Sequence, residues 1–214
     1  MTATHDVTPR RKLGRPADTD STDTLERILQ CARERFSTDG FDGTTNKDIA
    51  EMAGISSAAL YHYFPSKSEM YIAVCESITH DFVGVFERCR LVGPTLAERL
   101  AALVGEVRRL GATEPGIVGF IAGISTVVNK HPEVRKGTDG LGIDIRRMIV
   151  ELANDATERD TILQGSDPGA FADFLITMLA GFGRLSARGQ QDRHEAAGEY
   201  FLRLIDAVTK GQVG

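Results

Sequence analysis

Thr45-Asn46-Lys47-Asp48-Ile49-Ala50-Glu51-Met52-Ala53-Gly54-Ile55-Ser56-Ser57-Ala58-Ala59-Leu60-Tyr61-His62-Tyr63-Phe64 is the stretch on which the reading of this chain turns. Thr45 is a hydroxyl N-cap, and Asp48 supplies the acidic partner of a capping box at the third helical position, so a helix opens here. That helix turns Ile49, Ala50 and Ala53 to one side and stops at Gly54. Ser56 then caps a second helix from Ser57 to Phe64. Pro65 closes it, because the residue before a proline avoids helical backbone angles. Two short helices joined across Ala53-Gly54-Ile55 and preceded by a longer one form a helix-turn-helix over about residues 45–64.

Working outward, the longer helix shows in Leu25, Ile28, Leu29, Ala32 and Phe36, which recur at helical spacing. Asp39-Gly40 ends it, with Gly40 suited to a left-handed C-terminal position. On the other side, Ser66-Lys67-Ser68-Glu69 is a capping box that opens a long helix through Met70, Val74, Ile78, Phe82 and Phe86. Beyond Gly93-Pro94, Thr95 and Glu98 form a further box ahead of Leu96, Leu100, Leu103, Val107 and Leu110. Ile117 to Ile121 has strand propensity, yet its neighbours are helical and no partner strand is visible, so Glu114 to Asn129 reads as a buried helix. A helix from about Leu141 to Asp160 follows, its start blurred by Gly137, Gly140 and Gly142. Asp167-Pro168 begins another that carries Phe171, Phe174, Leu175, Met178, Leu179 and Phe182. The last, Arg193 to Val208, presents Tyr200, Phe201, Leu204, Ile205 and Val208. The expected fold class is all-α.

The bulk numbers narrow the function. A net charge of −5 over 214 residues excludes a chain coated in basic groups, so any nucleic-acid contact must be local. No apolar run reaches the ~18 residues of a membrane span, and residues 1–6 lack a basic-then-apolar export signal. A cytoplasmic protein with no membrane partner is expected. Cys31, Cys75 and Cys89 have no metal-ligand spacing and read as reduced thiols. His5, His62, His80, His131 and His194 are scattered, without H-E-x-x-H or C-x-x-C, so neither metal nor cofactor is expected. Gly54-Ile55-Ser56-Ser57-Ala58 falls short of a nucleophile elbow. Gly140-Leu141-Gly142 lacks both the third glycine and the strand of a nucleotide loop. An enzyme is the weakest reading.

The second short helix carries the positive case. Leu60 and Phe64 share a face that packs inward, while Ser57 and Tyr61 share another, with Ser56, Ala58 and His62 beside them. Tyr63 lies near the inward side and covers core on one reading, contacts a partner on another. From Ser56 through Lys67 there is no Asp or Glu, in a chain with 30 of them. A surface free of carboxylates is what approach to phosphates requires. Hydroxyls, Tyr61 and His62 can reach phosphate oxygens or base edges, and Lys67 at a helix start can hold a phosphate. Residues 1–21 read as a flexible arm whose Pro9-Arg10-Arg11-Lys12-Leu13-Gly14-Arg15-Pro16 segment suits a narrow minor groove.

Phe36, Gly40-Phe41, Thr44-Thr45, Ile49-Ala50, Ala53-Gly54-Ile55-Ser56, Leu60-Tyr61, Tyr63-Phe64, Ser66-Lys67 and Met70, at their spacings, resemble the DNA-binding signature of the TetR/AcrR family of regulators. The resemblance implies an N-terminal three-helix DNA-binding domain at residues 22–82 and a larger helical effector-binding and dimerisation domain at 83–214. It implies that Ser56, Ser57, Ala58, Tyr61 and His62 enter or flank the major groove. Thr45, Asn46 and Lys67 would hold the DNA backbone, with Arg11, Lys12 and Arg15 added from the arm. Ala58-Ala59 stands where many relatives have glycine or a longer polar residue, so few side chains are left for bidentate base contacts. The implied homodimer interface is Phe171, Leu175, Leu179, Phe182, Tyr200, Phe201, Leu204, Ile205 and Val208. A palindromic operator in double-stranded DNA follows from two-fold symmetry. The implied small-molecule pocket takes Phe86, Leu103, Phe120, Ile124, Met148, Phe174 and Met178 as candidates, which favours an apolar effector. Arg108-Arg109 and Arg146-Arg147 meet an anionic head group on one reading and form solvated faces on the other, which is the usual case for paired arginines on a helix. The function expected is a ligand-responsive repressor; a helical DNA-binding dimer without an effector is the alternative.

Overall fold

A computed structural model describes residues 17–154, 156, 165, 167–187 and 191–209. Among them every regular element is an α-helix: α1 (Ala17–Gly43), α2 (Asn46–Met52), α3 (Ser57–Tyr63), α4 (Lys67–Arg90), α5 (Leu96–Thr113), α6 (Pro115–Lys130), α7 (Pro132–Asn154), α8 (Pro168–Ala187) and α9 (Gln191–Thr209).

Local signals set most of these boundaries. The Thr45/Asp48 and Thr95/Glu98 boxes form with both reciprocal bonds. Ser56 and Ser66 accept from the amides of Ala59 and Glu69, and the Asp167 carboxylate accepts from Gly169 and Ala170 at the start of α8. Each satisfies helix-start N–H groups that lack an intrahelical partner. Gly40 adopts φ 73° and kinks the last turn of α1, a conformation glycine enters without Cβ strain.

Two boundaries differ from expectation. Residues 17–21, assigned to the flexible arm, belong to α1; a helix backbone here does not require the apolar period, which marks only a face that packs. α7 opens at Pro132 rather than near Leu141 and runs straight through its glycines. At Gly137 a side chain would meet the tip of Ile72 on α4, so the close approach of the two helices favours a glycine there although helix propensity alone disfavours one.

The apolar side chains gather into two cores. The first joins α1, α2, α3 and the start of α4 to α6 and Val134 of α7, with Ile28, Ile49, Leu60, Met70, Tyr71 and Phe120 at its centre. Phe36, Phe41, Tyr71 and Phe120 stack there, Tyr71 and Phe120 at 4.6 Å between ring centres. The second core lies among the rest of α4, α5, α7, α8 and α9, around Leu96, Leu100, Leu103, Ile149, Leu152 and Leu175. Leu25, expected inside, is 36% exposed at the edge of the first. Cys31, Cys75 and Cys89 are free and buried; burial pushes the Cys75 thiol up to about 12.

Candidate nucleic-acid interface

The turn between α2 and α3 is built to hold its angle. Gly54 takes φ 69°, while its own N–H donates to Glu51 O and that of Ile55 to Ala50 O. Arg27 of α1 reaches across and donates from Nε to Ala53 O at 2.9 Å. Leu60 is fully buried against the first core, so α3 cannot rotate about its axis without exposing it. This fixes the other face outward. Ser56, Ser57, Ala58, Tyr61 and His62 are all exposed there, Tyr61 at 52%. Tyr63 is half-buried and packs on the first core.

The start of α2 is equally constrained. Buried Thr44 donates its hydroxyl to Gly40 O at 2.7 Å. The Lys67 ammonium donates to Phe41 O at 2.7 Å and Thr44 O at 3.0 Å, and lies 4.5 Å from the centre of the Phe41 ring. The ammonium expected to reach a phosphate is therefore largely committed to locking the α1–α2 junction. Thr45 is likewise engaged: its hydroxyl and its N–H both donate to Asp48. Those two bonds, with Arg35 and Lys47 nearby, hold the Asp48 carboxyl below the usual carboxylate range. Asn46 is half-buried at the first position of α2, and its Oδ1 has no hydrogen-bond partner.

Several carboxylates around this head have a cation beside them. Asp48 faces Arg35 at 3.9 Å, Glu51 pairs with Lys47 at 3.7 Å, and Asp42 meets Lys130 and His131 at 3.6 and 3.0 Å. With no acid between Ser56 and Lys67, α3 presents polar and aromatic groups and no carboxylate of its own. Two residues absent from the sequence reading matter here: Arg27, which braces the turn, and Lys47, the exposed cation at the start of α2. Arg27 bonds across 26 positions, a distance at which no sequence spacing signals a contact. Arg11, Lys12 and Arg15 lie outside the described residues.

The expected effector positions do not form one pocket. Phe120 and Ile124 belong to the first core, Phe86, Leu103, Met148 and Met178 to the second, and Phe174 is 57% exposed. A helix face read from spacing does not say which other face it meets. Among the described residues are a cavity of about 310 Å³ at the junction of α1 and α6, reached by Phe120, and a cleft of about 570 Å³ between α4 and α7, reached by Met148. Among the suspected surface arginines, Arg109, Arg146 and Arg147 pair with Glu106, Asp173 and Asp144.

The expected dimer face divides as well. Leu175, Phe201 and Ile205 point into the second core, and Phe171 and Leu179 are partly buried on it. Tyr200 and Leu204 remain outside at 65% and 47% exposure, joined by Phe174, so an apolar outer surface persists on α8 and α9. The side chains of Phe182 and Val208 lie outside the description.

Comparison with known proteins points the same way. The family described as bacterial regulatory proteins of the tetR family matches residues 28–74, which run from α1 into α4. A nucleoid occlusion factor, SlmA, of Actinobacillus pleuropneumoniae is 31% identical over 151 residues, covering 68% of this chain and 71% of that one. The HTH-type transcriptional repressor KstR2 of Mycolicibacterium smegmatis is 32% identical over 110 residues, 51% of this chain and 45% of the other. A TetR-family transcriptional regulator from Agrobacterium tumefaciens superimposes with a TM-score of 0.70 over 85% of this chain and 97% of its own, at 19% identity, and shares the fold.

Proposed function

Since the chain belongs to the tetR family of bacterial regulatory proteins, DNA-binding regulators of transcription rather than enzymes, we propose that it is a homodimeric repressor released from a palindromic operator by a small, largely apolar effector. The observation that carries this reading is the outward face of α3, where Ser57, Ala58, Tyr61 and His62 stand exposed while Leu60 anchors the helix. The sign of regulation draws support from the likeness to a transcriptional repressor. Phe174, Tyr200 and Leu204 supply an uncovered apolar surface on α8 and α9, as an isologous interface requires. A two-fold dimer sets two copies of α3 on half-sites about one helical turn of DNA apart, or a multiple of it. Effector binding favours a dimer whose recognition helices no longer match that spacing, through α4, which carries Lys67 at one end and the second core at the other. No helix among the described residues is long and apolar enough to cross a membrane, and a cytoplasmic location belongs to this reading.

Selection of bound fragments from a genomic library tests the proposal. Enrichment of a two-fold symmetric sequence is expected, and recovery of fragments without a shared sequence refutes it. Arg11→Ala, Lys12→Ala and Arg15→Ala together should weaken binding and lessen its dependence on salt, since each lost phosphate contact lowers the slope of log affinity against log salt by about 0.9. A second reading is a DNA-binding dimer without an effector, since the expected effector positions are divided between the two cores. A compound that raises the melting temperature increasingly with the logarithm of its concentration and lowers operator affinity separates the two.

A further inference from the structure

We propose that the cavity between α1 and α6 is a separate small-molecule site, and that its ligand is a neutral aromatic compound whose hydrogen-bond acceptor meets the Tyr71 hydroxyl. The site lies in the first core, beside the helix-turn-helix, and of the positions expected to hold an effector only Phe120 reaches it. α1 and α6 run in the same direction. Gly116 packs on the backbone of Glu34, and Gly119 comes so close to α1 that a side chain there would meet Ser37. One turn further the close approach ends. Gly40 kinks α1 with φ 73°, Gly123 has open space where a side chain would stand, and a cavity of about 310 Å³ lies between them. That is about twice the ~150 Å³ that takes up one benzene ring, so one ring or two fused rings fit.

The lining selects among such compounds. Phe36, Phe41, Phe120 and Val127 are buried and give the cavity an apolar, mainly aromatic wall, against which a further ring packs edge-on or offset. The charged groups of the lining are balanced. Asp39 pairs with Arg35 at 2.8 Å, and Asp42 pairs with Lys130 at 3.6 Å and with His131 Nε2 at 3.0 Å. An ionic ligand finds no lining charge without a counter-charge, so a neutral one is favoured.

Tyr71 supplies the polar contact. It is 2% exposed, and its ring is packed by Phe36, Phe41 and Phe120. Its hydroxyl makes no hydrogen bond among the described residues and is not sealed in by them, so it opens on the cavity that Tyr71 lines. A hydroxyl left unpaired in apolar surroundings costs free energy, and an acceptor brought to it removes that cost. Burial pushes the phenol above its ordinary range, so it keeps its proton and donates. A hydrocarbon of the same shape covers the hydroxyl without pairing it, and the site discriminates against it for that reason.

The probes are 2-acetonaphthone and 2-isopropenylnaphthalene, which share a shape and differ in carrying C=O or C=CH2 beside the ring. Each is equilibrated by dialysis against the full-length protein without DNA, and the bound share is read by ultraviolet absorbance. The ketone is expected to bind, and Tyr71→Phe should weaken it about tenfold relative to the hydrocarbon. Gly123→Leu, which fills the cavity and leaves Tyr71 in place, should prevent binding of both. No binding of the ketone, an unchanged ratio of the two affinities in Tyr71→Phe, or ketone binding unaltered by Gly123→Leu overturns the proposal. Should Gly123→Leu fail to fold by its melting curve, the ratio in Tyr71→Phe decides alone. No DNA enters the measurement, so its outcome and that of the genomic selection are independent.

Discussion

Lys67 shows how much one side chain can contribute. Its ammonium satisfies two carbonyls that end α1 and precede α2 and lies against the Phe41 ring. Lys67→Met keeps the stem and removes the charge. Denaturant titration should show a loss of about 1.5–3 kcal/mol, the range for hydrogen bonds to charged groups, and DNA affinity should fall with it. Asp48 is the second case. The Thr45 hydroxyl, then the Thr45 N–H, hold its carboxyl below the ordinary range, so the folded chain keeps it ionised more readily than the unfolded chain does. Its stabilising effect is full above the unfolded value of about 4 and is lost as pH falls through the lower folded value. Melting temperatures of the protein and of Asp48→Asn should therefore differ near neutrality and converge in acid; a constant difference rules out the cap as the source. The Thr45 box was legible in the sequence because its partners are three positions apart. Lys67 was legible as a cation at a helix start but not in its role, since its acceptors lie 26 and 23 positions away.

At the scale of elements, glycine separates local from tertiary causes. Gly54 has φ 69° and open space around it, whereas Gly140 lies in α7 with open space and an ordinary helical backbone. Gly54→Ala should cost about 1 kcal/mol, from the left-handed backbone alone. Gly140→Ala should add about 0.5–1 kcal/mol by restricting the unfolded chain. Thermal melts of the two variants should move in opposite directions, and a shift of both in the same direction contradicts this assignment. The stops at Gly40 and Gly54 could be read from sequence because positive φ is a property of the residue. The start of α7 could not, because the reason for Gly137 sits on another helix, in Ile72. The same limit applied to α8 and α9. Spacing identified their apolar stripes, but only packing assigned Leu175, Phe201 and Ile205 inward and Phe174, Tyr200 and Leu204 outward.

At the scale of the whole molecule, that outward surface is the interface of the proposed dimer. Leu204→Glu places a charge one turn from Tyr200 on the outer face of α9 without touching either core, so sedimentation should give monomers that still melt cooperatively. Operator affinity should drop, because two half-sites are no longer engaged by one particle; a stable dimer of this variant would move the interface elsewhere. The all-helical class and the position of the helix-turn-helix were legible in sequence throughout, whereas the cleft of α4 and α7 was not, being a gap between faces that spacing describes one at a time. The ring cluster of the first core has a further consequence for inheritance. Phe36, Phe41 and Tyr71 belong to the DNA-reading half by chain order, yet Phe120 and Val127 of α6 and Val134 of α7 complete their packing. Residues 17–82 cut out alone would carry an exposed aromatic face. A recombination event that exchanged operator specificity between two such chains would have to bring α6 along, so the smallest transferable part of this regulator is discontinuous in its gene.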